Sequence, residues 1–335
     1  MDGLALFPDS AAVEDGKLVV GGVSASALAE EFGTPLVIYC EDTVRASARA
    51  YRESAPDALV VYGTKALPNV AVMRLLAGEG LGADVSTLGE LRFAQAAGVP
   101  GERLVVHGNN KSDEELRAAA EANAAFVVLD SVEELARARA ADVEWMLARV
   151  TPGIEADTHE AIRTGHRGSK FGMSPEEALS IRGDIAGVQV HVGSQLLSTK
   201  PAVETVSWLN RFLSDAGWEP DVVDLGGGLG VPTDPAERAP SIPGFVAALL
   251  GGLQVSSRVI LEPGRSLVAR AGVTLYRVGS VKRSGDRRWV AVDGGMSDNP
   301  RPTAVRRAVL GPRRKPGRGG AVRNLRRRGQ ALRVR

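Results

Sequence analysis

Ionisable residues and glycines recur along the chain at one kind of position, directly after a short run of valine, isoleucine and leucine. They are Lys65, Asp84, His107, Asp130, Arg149, His191, the triplet Gly226-Gly227-Gly228, and Glu262. A strand end can be capped by any small polar residue, so one such residue alone says little. The whole set predicts a ring of amine, imidazole, carboxylate and guanidinium groups, which are the groups of acid–base and covalent catalysis.

Three members of this ring suggest a phosphorylated carbonyl cofactor. Lys65 ends an apolar run, and we expect desolvation to lower its pKa and favour Schiff-base chemistry, although an isolated lysine there could equally reach solvent. Gly226-Gly227-Gly228 lets backbone N–H groups approach a phosphate, or forms a tight turn; Val231 breaks the spacing of a dinucleotide fingerprint. Glu262 offers an acidic partner for a pyridinium nitrogen. Together these groups suggest pyridoxal phosphate (PLP).

The ring residues lie at the ends of eight apolar runs, and these runs predict the fold. The runs cover residues 60–65, 81–86, 104–109, 126–131, 145–150, 188–194, 222–228 and 259–264. Their apolar character is nearly continuous, as in parallel strands buried on both faces. Amphipathic stretches at 70–77, 113–125 and 131–141 predict helices, the last with a Ser131/Glu134 capping box. The pattern favours an α/β fold, a (β/α)₈ barrel, over an open doubly wound sheet.

The barrel accounts for only part of the chain. Residues 17–23 are typical of a strand, and residues 266–268, 273–281 and 289–293 are typical of antiparallel strands with a turn at 284–286. We therefore expect residues 31–264 to form the barrel, and residues 1–30 and 265–302 to form a second, β-rich domain. The irregular connection at 151–175 is a candidate active-site loop.

Composition excludes several classes of protein. The 335 residues are 44% hydrophobic, which excludes intrinsic disorder for the chain as a whole. The sequence contains no run of about 18 apolar residues that would predict a membrane span, and its start does not resemble a secretory signal. Cys40 is the single cysteine, so no internal disulfide can form. We therefore expect a cytoplasmic protein. Of the 41 basic residues, 13 lie at 301–335, a stretch without Asp or Glu, so residues 1–300 are acidic overall.

Eight ordered motifs in residues 1–302 resemble the fold-type III PLP-dependent decarboxylases, and three of them resemble the diaminopimelate decarboxylase branch. Shared with the whole family are Tyr62-Gly63-Thr64-Lys65-Ala66, His191-Val192-Gly193-Ser194-Gln195, Gly226-Gly227-Gly228, Glu262-Pro263-Gly264-Arg265 and Asp293-Gly294-Gly295-Met296. Typical of the branch are His107-Gly108-Asn109-Asn110-Lys111-Ser112, Ser169-Lys170-Phe171-Gly172 and Ser297-Asp298-Asn299-Pro300-Arg301-Pro302.

The resemblance implies a role for individual residues. Lys65 would carry PLP covalently, His191 would stack on the pyridine ring and Glu262 would pair with the ring nitrogen. The phosphate would be held by Ser194, Gly228 and the backbone of Gly264 and Arg265. Gly227 would also bind the cofactor, and Asp84 would lie near it. Arg265 and Arg301 would bind substrate carboxylates, for which a guanidinium is well shaped. His107, His159 and His166 receive no role, and we predict no metal site.

The resemblance also implies an activity, namely decarboxylation of meso-2,6-diaminopimelate to L-lysine by a PLP-dependent carboxy-lyase that forms a homodimer. Two alternatives remain: another decarboxylase of this fold type, acting on ornithine or arginine, and an inactive PLP-binding remnant. A nucleic-acid partner is disfavoured, because the acidic body would repel a phosphate backbone and aromatic residues make up only 4% of the chain. We expect a small amino-acid substrate and no membrane partner.

The resemblance stops after Pro302, where residues 303–335 become rich in Arg, Gly, Pro and Ala. One interpretation is a functional basic tail that binds a polyanion. The other is a shifted reading frame, which we favour. Codons chosen freely for residues 303–310 and 331–335 and read from the second base give Gln-Leu-Tyr-Gly-Ala-Arg-Tyr and His-Cys-Glu-Ser, which resemble the missing family motifs. We expect the tail as printed to be disordered and to leave the β domain incomplete and the activity impaired.

Overall fold

The computed structural model describes residues 4–153, 169–191, 193–295, 298, 325–328 and 331–334. The chain divides into two compact units. One comprises residues 44–231 and 238–269, and the other comprises residues 1–43, 232–237 and 270–335. No helix in the described part of the chain has the length and apolar character needed to cross a membrane.

Eight parallel strands form a closed barrel in the first unit, which confirms the predicted architecture. The strands are β5 (Leu59–Gly63), β6 (Gly82–Val85), β7 (Leu104–Val106), β8 (Phe126–Leu129), β9 (Met146–Val150), β10 (Gly187–Val190), β11 (Val222–Asp224) and β12 (Arg258–Leu261). Each pairs with its neighbour in chain order, and β12 closes the ring by pairing with β5. All eight predicted apolar runs are therefore strands, and all their carboxyl ends lie at one mouth.

Continuous burial explains why these runs form a barrel. Val61, Leu147 and Ile260 on the inner side belong to one core cluster, and these three side chains have no solvent exposure. Neighbouring residues such as Val60 and Leu261 are almost fully buried too. Each buried aliphatic side chain contributes roughly 1.5–3 kcal/mol, and strands buried on both faces need helices outside the ring.

One helix directly precedes the first barrel strand, and a helix follows each of the eight strands. They are α2 (Glu41–Ser54), α3 (Val70–Gly78), α4 (Leu88–Ala96), α5 (Asp113–Glu121), α6 (Glu133–Ala140), α7 (Pro175–Ser180), α8 (Lys200–Ala216), α9 (Ile242–Leu250) and α10 (Arg265–Val268). The three predicted helices correspond to α3, α5 and α6. The predicted Ser131/Glu134 capping box is wrong, because α6 begins one residue later than that motif requires and the Glu134 carboxylate accepts from the Asp130 backbone N–H instead.

The second unit contains the strands near the two ends of the chain. The sheet β1 (Ala12–Glu14), β2 (Lys17–Val20) and β3 (Val23–Ser24) precedes α1 (Ala25–Phe32), and β4 (Leu36–Tyr39) pairs with β13 (Gly272–Leu275). The hairpin β14 (Val278–Ser284) and β15 (Arg287–Val292) turns at residues 285–286, as predicted. The pairing of β4 with β13 keeps residues 31–43 in this unit rather than in the barrel.

Two sequence-based expectations outside the barrel are wrong. Residues 266–268 form part of helix α10 rather than a strand, and the Ser266 hydroxyl is hydrogen-bonded to the buried Tyr51 hydroxyl at 2.7 Å. In the tail, β16 (Leu325–Arg328) and β17 (Ala331–Val334) pair with each other, and β17 pairs with β15. These residues complete a four-stranded sheet, so the tail is not disordered throughout and β15 is not left without a partner.

Candidate active site

Barrel closure gathers several of the predicted ring residues at one mouth. Lys65 lies in a 3₁₀ turn directly after β5, and its Nζ donates a hydrogen bond to Asp84 Oδ2 at 2.7 Å. The Thr64 hydroxyl donates to the Asp84 backbone carbonyl at 2.8 Å, which ties the two strand ends together. Asp84 is 1% exposed, so it presents its charge to the lysine in a dry setting.

The charges around Lys65 reverse one expectation from the sequence. Burial does favour the neutral amine, but the negative charges of Asp84 and Glu262 outweigh it and raise the Lys65 pKa. The predicted lowering is therefore wrong for this arrangement. Lys65 is an ammonium held by an ion pair, and 59% of its side-chain surface remains accessible from the mouth. A carbonyl ligand can reach the amine, and reaction requires transfer of the ammonium proton away from Lys65.

Glu262, which follows β12, is the most heavily hydrogen-bonded acid in the mouth. His107 Nε2 donates to Glu262 Oε1 at 2.5 Å, and Gln189 Nε2 donates to Oε2 at 3.1 Å. Burial acts to raise the Glu262 pKa, but His107 and the charge of Lys65 overcome it and hold this pKa far below the usual value. Glu262 is thus a fixed anion, as a partner for a pyridinium nitrogen must be.

His191, just after β10, is a neutral imidazole. Burial and the positive charges of Arg149 and Lys65 lower its pKa to about 3. Its Nδ1 accepts a long hydrogen bond from the Gly227 backbone N–H at 3.4 Å, which leaves the ring proton on Nε2. A neutral, oriented ring suits stacking against an aromatic heterocycle.

The glycine triplet brings bare backbone close to two neighbouring strand ends. A Cβ on Gly227 would lie 2.2 Å from the Glu262 carbonyl oxygen, and one on Gly228 would lie 2.6 Å from that of Gly193. Gly228 also has a φ of +115°, a conformation that side-chain-bearing residues rarely adopt. The half-buried Ser194 lies in the loop after β10. These features fit a cradle for a phosphate, because N–H groups can approach an anion only where no side chain intervenes.

The remaining predicted residues lie in different settings. Arg149 places its guanidinium carbon 4.8 Å from the centre of the Phe171 ring and adds positive charge near Lys65 and His191. Asp130 lies near Lys111 instead. Gly264 approaches Gly63, and Arg265 begins α10. Arg301, His159 and His166 lie outside the described residues, as does most of the predicted active-site loop.

The structure adds groups to which the sequence analysis gave no role. His107 contacts Glu262, while Gln189 and Asp224 are fully buried polar residues inside β10 and β11. A polar residue inside an otherwise apolar run is a sequence signal for such positions. Asp84, His107 and Glu262 also place one ligand atom each within 4.8 Å of one another, a grouping open to a metal ion that the sequence analysis did not anticipate. The Lys65 ammonium already balances part of this negative charge.

A barrel whose mouth combines an amine on the first strand, a buried anion on the last and a glycine cradle between them defines a PLP-binding (β/α)₈ barrel. The family model for the pyridoxal-binding domain of pyridoxal-dependent decarboxylases matches residues 41–269. The chain belongs to this family, whose cofactor is PLP.

Curated relatives agree with this assignment. The chain is 42% identical to a diaminopimelate decarboxylase of Actinosynnema pretiosum, over 93% of this chain and 77% of the relative. It is 35% identical to that of Staphylococcus aureus, over 85% and 74% of the two chains. Among solved structures, diaminopimelate decarboxylase of M. jannaschii superposes with a TM-score of 0.83 at 30% identity, covering 98% of this chain and 87% of the other.

Proposed function

We propose that this protein decarboxylates meso-2,6-diaminopimelate to L-lysine and CO₂ with PLP as cofactor. The observation that carries the proposal is the mouth itself, where Lys65 and Glu262 come from the paired strands β5 and β12 beside the glycine cradle. The relatives at 35–42% identity bear the same enzyme name. In the reaction one Cα–carboxylate bond breaks, CO₂ leaves and a proton takes its place at Cα. Bound PLP supplies the electron sink for the pair released by that bond.

In this proposal the barrel residues hold and polarise the cofactor. Lys65 is the amine that carries PLP, and Asp84 at 2.7 Å stands ready to accept or hold its proton. Glu262 keeps the pyridine nitrogen protonated, because a buried anion favours a cation beside it. The neutral His191 ring covers one face of the pyridine, where it adds contact without adding charge.

The phosphate and the substrate are assigned to two sets of groups that share Arg265. Gly227, Gly228 and Ser194 on one side, and Gly264 with Arg265 on the other, are proposed to hold the phosphate. Arg265 and Arg301 are proposed to bind substrate carboxylates, with Arg301 lying outside the described residues. Two guanidinium groups favour a substrate with a second carboxylate and repel one that ends in a lone amine.

We also propose a homodimer that works in the cytoplasm. The resemblance to a family of homodimers with shared sites supports the first statement, and the single cysteine, Cys40, supports the second, because reducing compartments do not use disulfides. Sedimentation of the purified protein measures the assembly directly, and a monomer that decarboxylates its substrate would contradict the dimer.

The test is CO₂ release by purified protein loaded with PLP. We expect release from meso-2,6-diaminopimelate to exceed release from ornithine, because only the former carries a second carboxylate. Lys65→Ala should abolish both the release and the absorbance of bound PLP, whereas Lys200→Ala on the exposed face of α8 should change neither. Faster release of CO₂ from ornithine would overturn the substrate assignment. Unchanged PLP absorbance in the Lys65→Ala variant would overturn the assignment of Lys65 as the amine that carries PLP.

A further inference from the structure

Gln195 lies in the loop after β10, and the proposed chemistry gives it no role. The residue is only 7% exposed, and its backbone has a φ of +64°, a left-handed conformation that few residues other than glycine adopt. A residue with a long side chain keeps this conformation only where its surroundings stabilise it. The contacts of the Gln195 side chain are therefore of interest.

The side-chain amide of Gln195 contacts the loop after β11 through both of its ends. Nε2 donates a hydrogen bond to the Val231 carbonyl oxygen at 2.6 Å, and Oε1 accepts one from the Val231 backbone N–H at 3.3 Å. A glutamine amide offers the same kinds of donor and acceptor as a peptide group, so it can pair with a backbone as a strand does. We call these two hydrogen bonds the Gln195 clasp.

The Gln195 clasp extends a short backbone pairing between the same two loops. The Leu196 N–H donates to the Gly228 carbonyl oxygen at 3.0 Å, and the Gly230 N–H donates to the Leu196 carbonyl oxygen at 2.9 Å. A Cβ on Gly230 would lie 2.8 Å from the Gln195 carbonyl carbon, so the loops approach closely. One of these loops carries Ser194 and the other carries the glycine triplet, which together are the proposed phosphate cradle.

The glycine loop needs such contacts to hold its shape. Four of the five residues at 226–230 are glycines, which have no side chains to restrict their backbone. Backbone N–H groups bind an anion well only when they are already in place, because ordering a loop during binding costs free energy and lowers affinity. The order must therefore come from neighbouring groups, and the Gln195 clasp lies at the end of this glycine-rich segment.

We propose that Gln195 is a positioning residue for the phosphate cradle, because its clasp on Val231 holds the glycine loop against the loop that carries Ser194. The assignment of the phosphate to this cradle rests on the proposed function. The Gln195 amide faces the Val231 backbone, so it acts on the phosphate through the positions of the two loops rather than by direct contact.

A comparison of PLP with pyridoxal, which lacks the phosphate, separates this role from a general effect on stability. Gln195→Met roughly keeps the size of the side chain and removes both hydrogen bonds of the clasp. Gln195→Gly also removes them, but it tolerates the positive φ, so it tests the clasp even if the methionine variant does not fold.

Absorbance titrations of the purified variants give the two affinities. We expect each variant to weaken PLP binding by roughly tenfold and pyridoxal binding by less than about twofold, because only PLP uses the cradle. Gln254→Met, at an exposed glutamine, should change neither affinity. Equal weakening of PLP and pyridoxal binding, or wild-type affinity for PLP in the Gln195→Gly variant, would overturn the positioning role.

Hydrogen exchange of the cofactor-free protein, followed by NMR, tests the clasp itself. The Val231 N–H should exchange roughly tenfold faster in both Gln195 variants, whereas the Gly230 N–H, which is bonded to a backbone carbonyl, should change less. Unchanged exchange at Val231 would overturn the clasp. If the wild-type protein bound pyridoxal as tightly as PLP, the phosphate cradle of the proposed function would fail. A wild-type preference for PLP that both variants retain would overturn the role of Gln195 alone.

Discussion

Lys111 Nζ lies 3.0 Å from the Glu134 carboxylate in a part of the barrel that solvent barely reaches. The ammonium also donates to the backbone carbonyls of Gly108 at 2.8 Å and Val128 at 2.6 Å. It therefore ties the loop after β7, which begins with His107, to the end of β8. Burial lowers the Lys111 pKa despite the charge of Glu134 beside it.

Removing one partner of this pair should destabilise the barrel strongly. Lys111→Ala leaves Glu134 buried without its cation, and we expect the free energy of unfolding to fall by about 3–5 kcal/mol in urea titrations. The exposed pair of Lys200 and Glu204 is the matched control, and Lys200→Ala should change stability by less than about 1 kcal/mol. The double variant Lys111→Met/Glu134→Leu should recover most of the loss. Similar losses for Lys111→Ala and Lys200→Ala would contradict this account.

Gly228→Ala should damage the proposed phosphate cradle. The new Cβ would lie 2.6 Å from the Gly193 carbonyl oxygen and force a positive φ on alanine, so the loop must move away. We expect PLP affinity, measured by absorbance titration, to fall by about tenfold or more. Gly183→Ala, where a Cβ meets nothing within 4 Å, should bind PLP as the wild type does. Equal affinities in the two variants would place the phosphate elsewhere.

His191 should make the stability of the cofactor-free protein depend on pH. Its pKa is about 3 in the folded protein against a usual 6.5, so between these values the unfolded chain binds a proton that the folded barrel does not. Stability therefore falls as pH drops from 6.5 toward 3, by about 1.4 kcal/mol per pH unit from this residue. His191→Gln should remove this part of the slope in urea titrations, with the two curves parallel above pH 6.5. Parallel curves throughout would show that His191 titrates normally.

The basic tail leads to a comparison of two chains. We predict that a chain whose reading frame is restored by one base after residue 302 decarboxylates diaminopimelate faster than the printed chain. The reason is that the alternative frame contains peptides that resemble family motifs missing from the printed chain. The measurement is the rate of diaminopimelate decarboxylation by the two purified proteins, assayed side by side at equal PLP loading. Equal turnover would show that residues 303–335 are a genuine replacement.

The sequence was sufficient to predict the barrel, because parallel strands buried on both faces leave an apolar signal that helices interrupt at regular intervals. It also predicted that Lys65 and Glu262 lie at the same mouth, since residues at the carboxyl ends of barrel strands come together once the barrel closes. The direction in which the Lys65 pKa shifts could not be predicted in this way. Its sign depends on how near two acids from other strands approach, and no local pattern records that distance.

Other features depend on contacts between residues far apart in sequence. Glu134 was assigned to a capping box with Ser131, but Lys111 from another loop forms an ion pair with it. Residues 266–268 have the composition of a strand, and yet Ser266 meets Tyr51 as part of a helix.

The pairing of β12 with β5 also bears on the order of folding. Lys65 and Glu262 are nearly 200 positions apart along the chain, yet they face each other only because the last barrel strand docks beside the first. Such a contact is slow to form, because the chain loses the entropy of closing a long loop before the stabilising contacts between the two strands are made. A ribosome-bound chain that has not yet emerged as far as β12 has Lys65 and its ion-pair partner Asp84 but not Glu262. The two residues to which we assign the cofactor are thus brought together only in the final step of barrel closure.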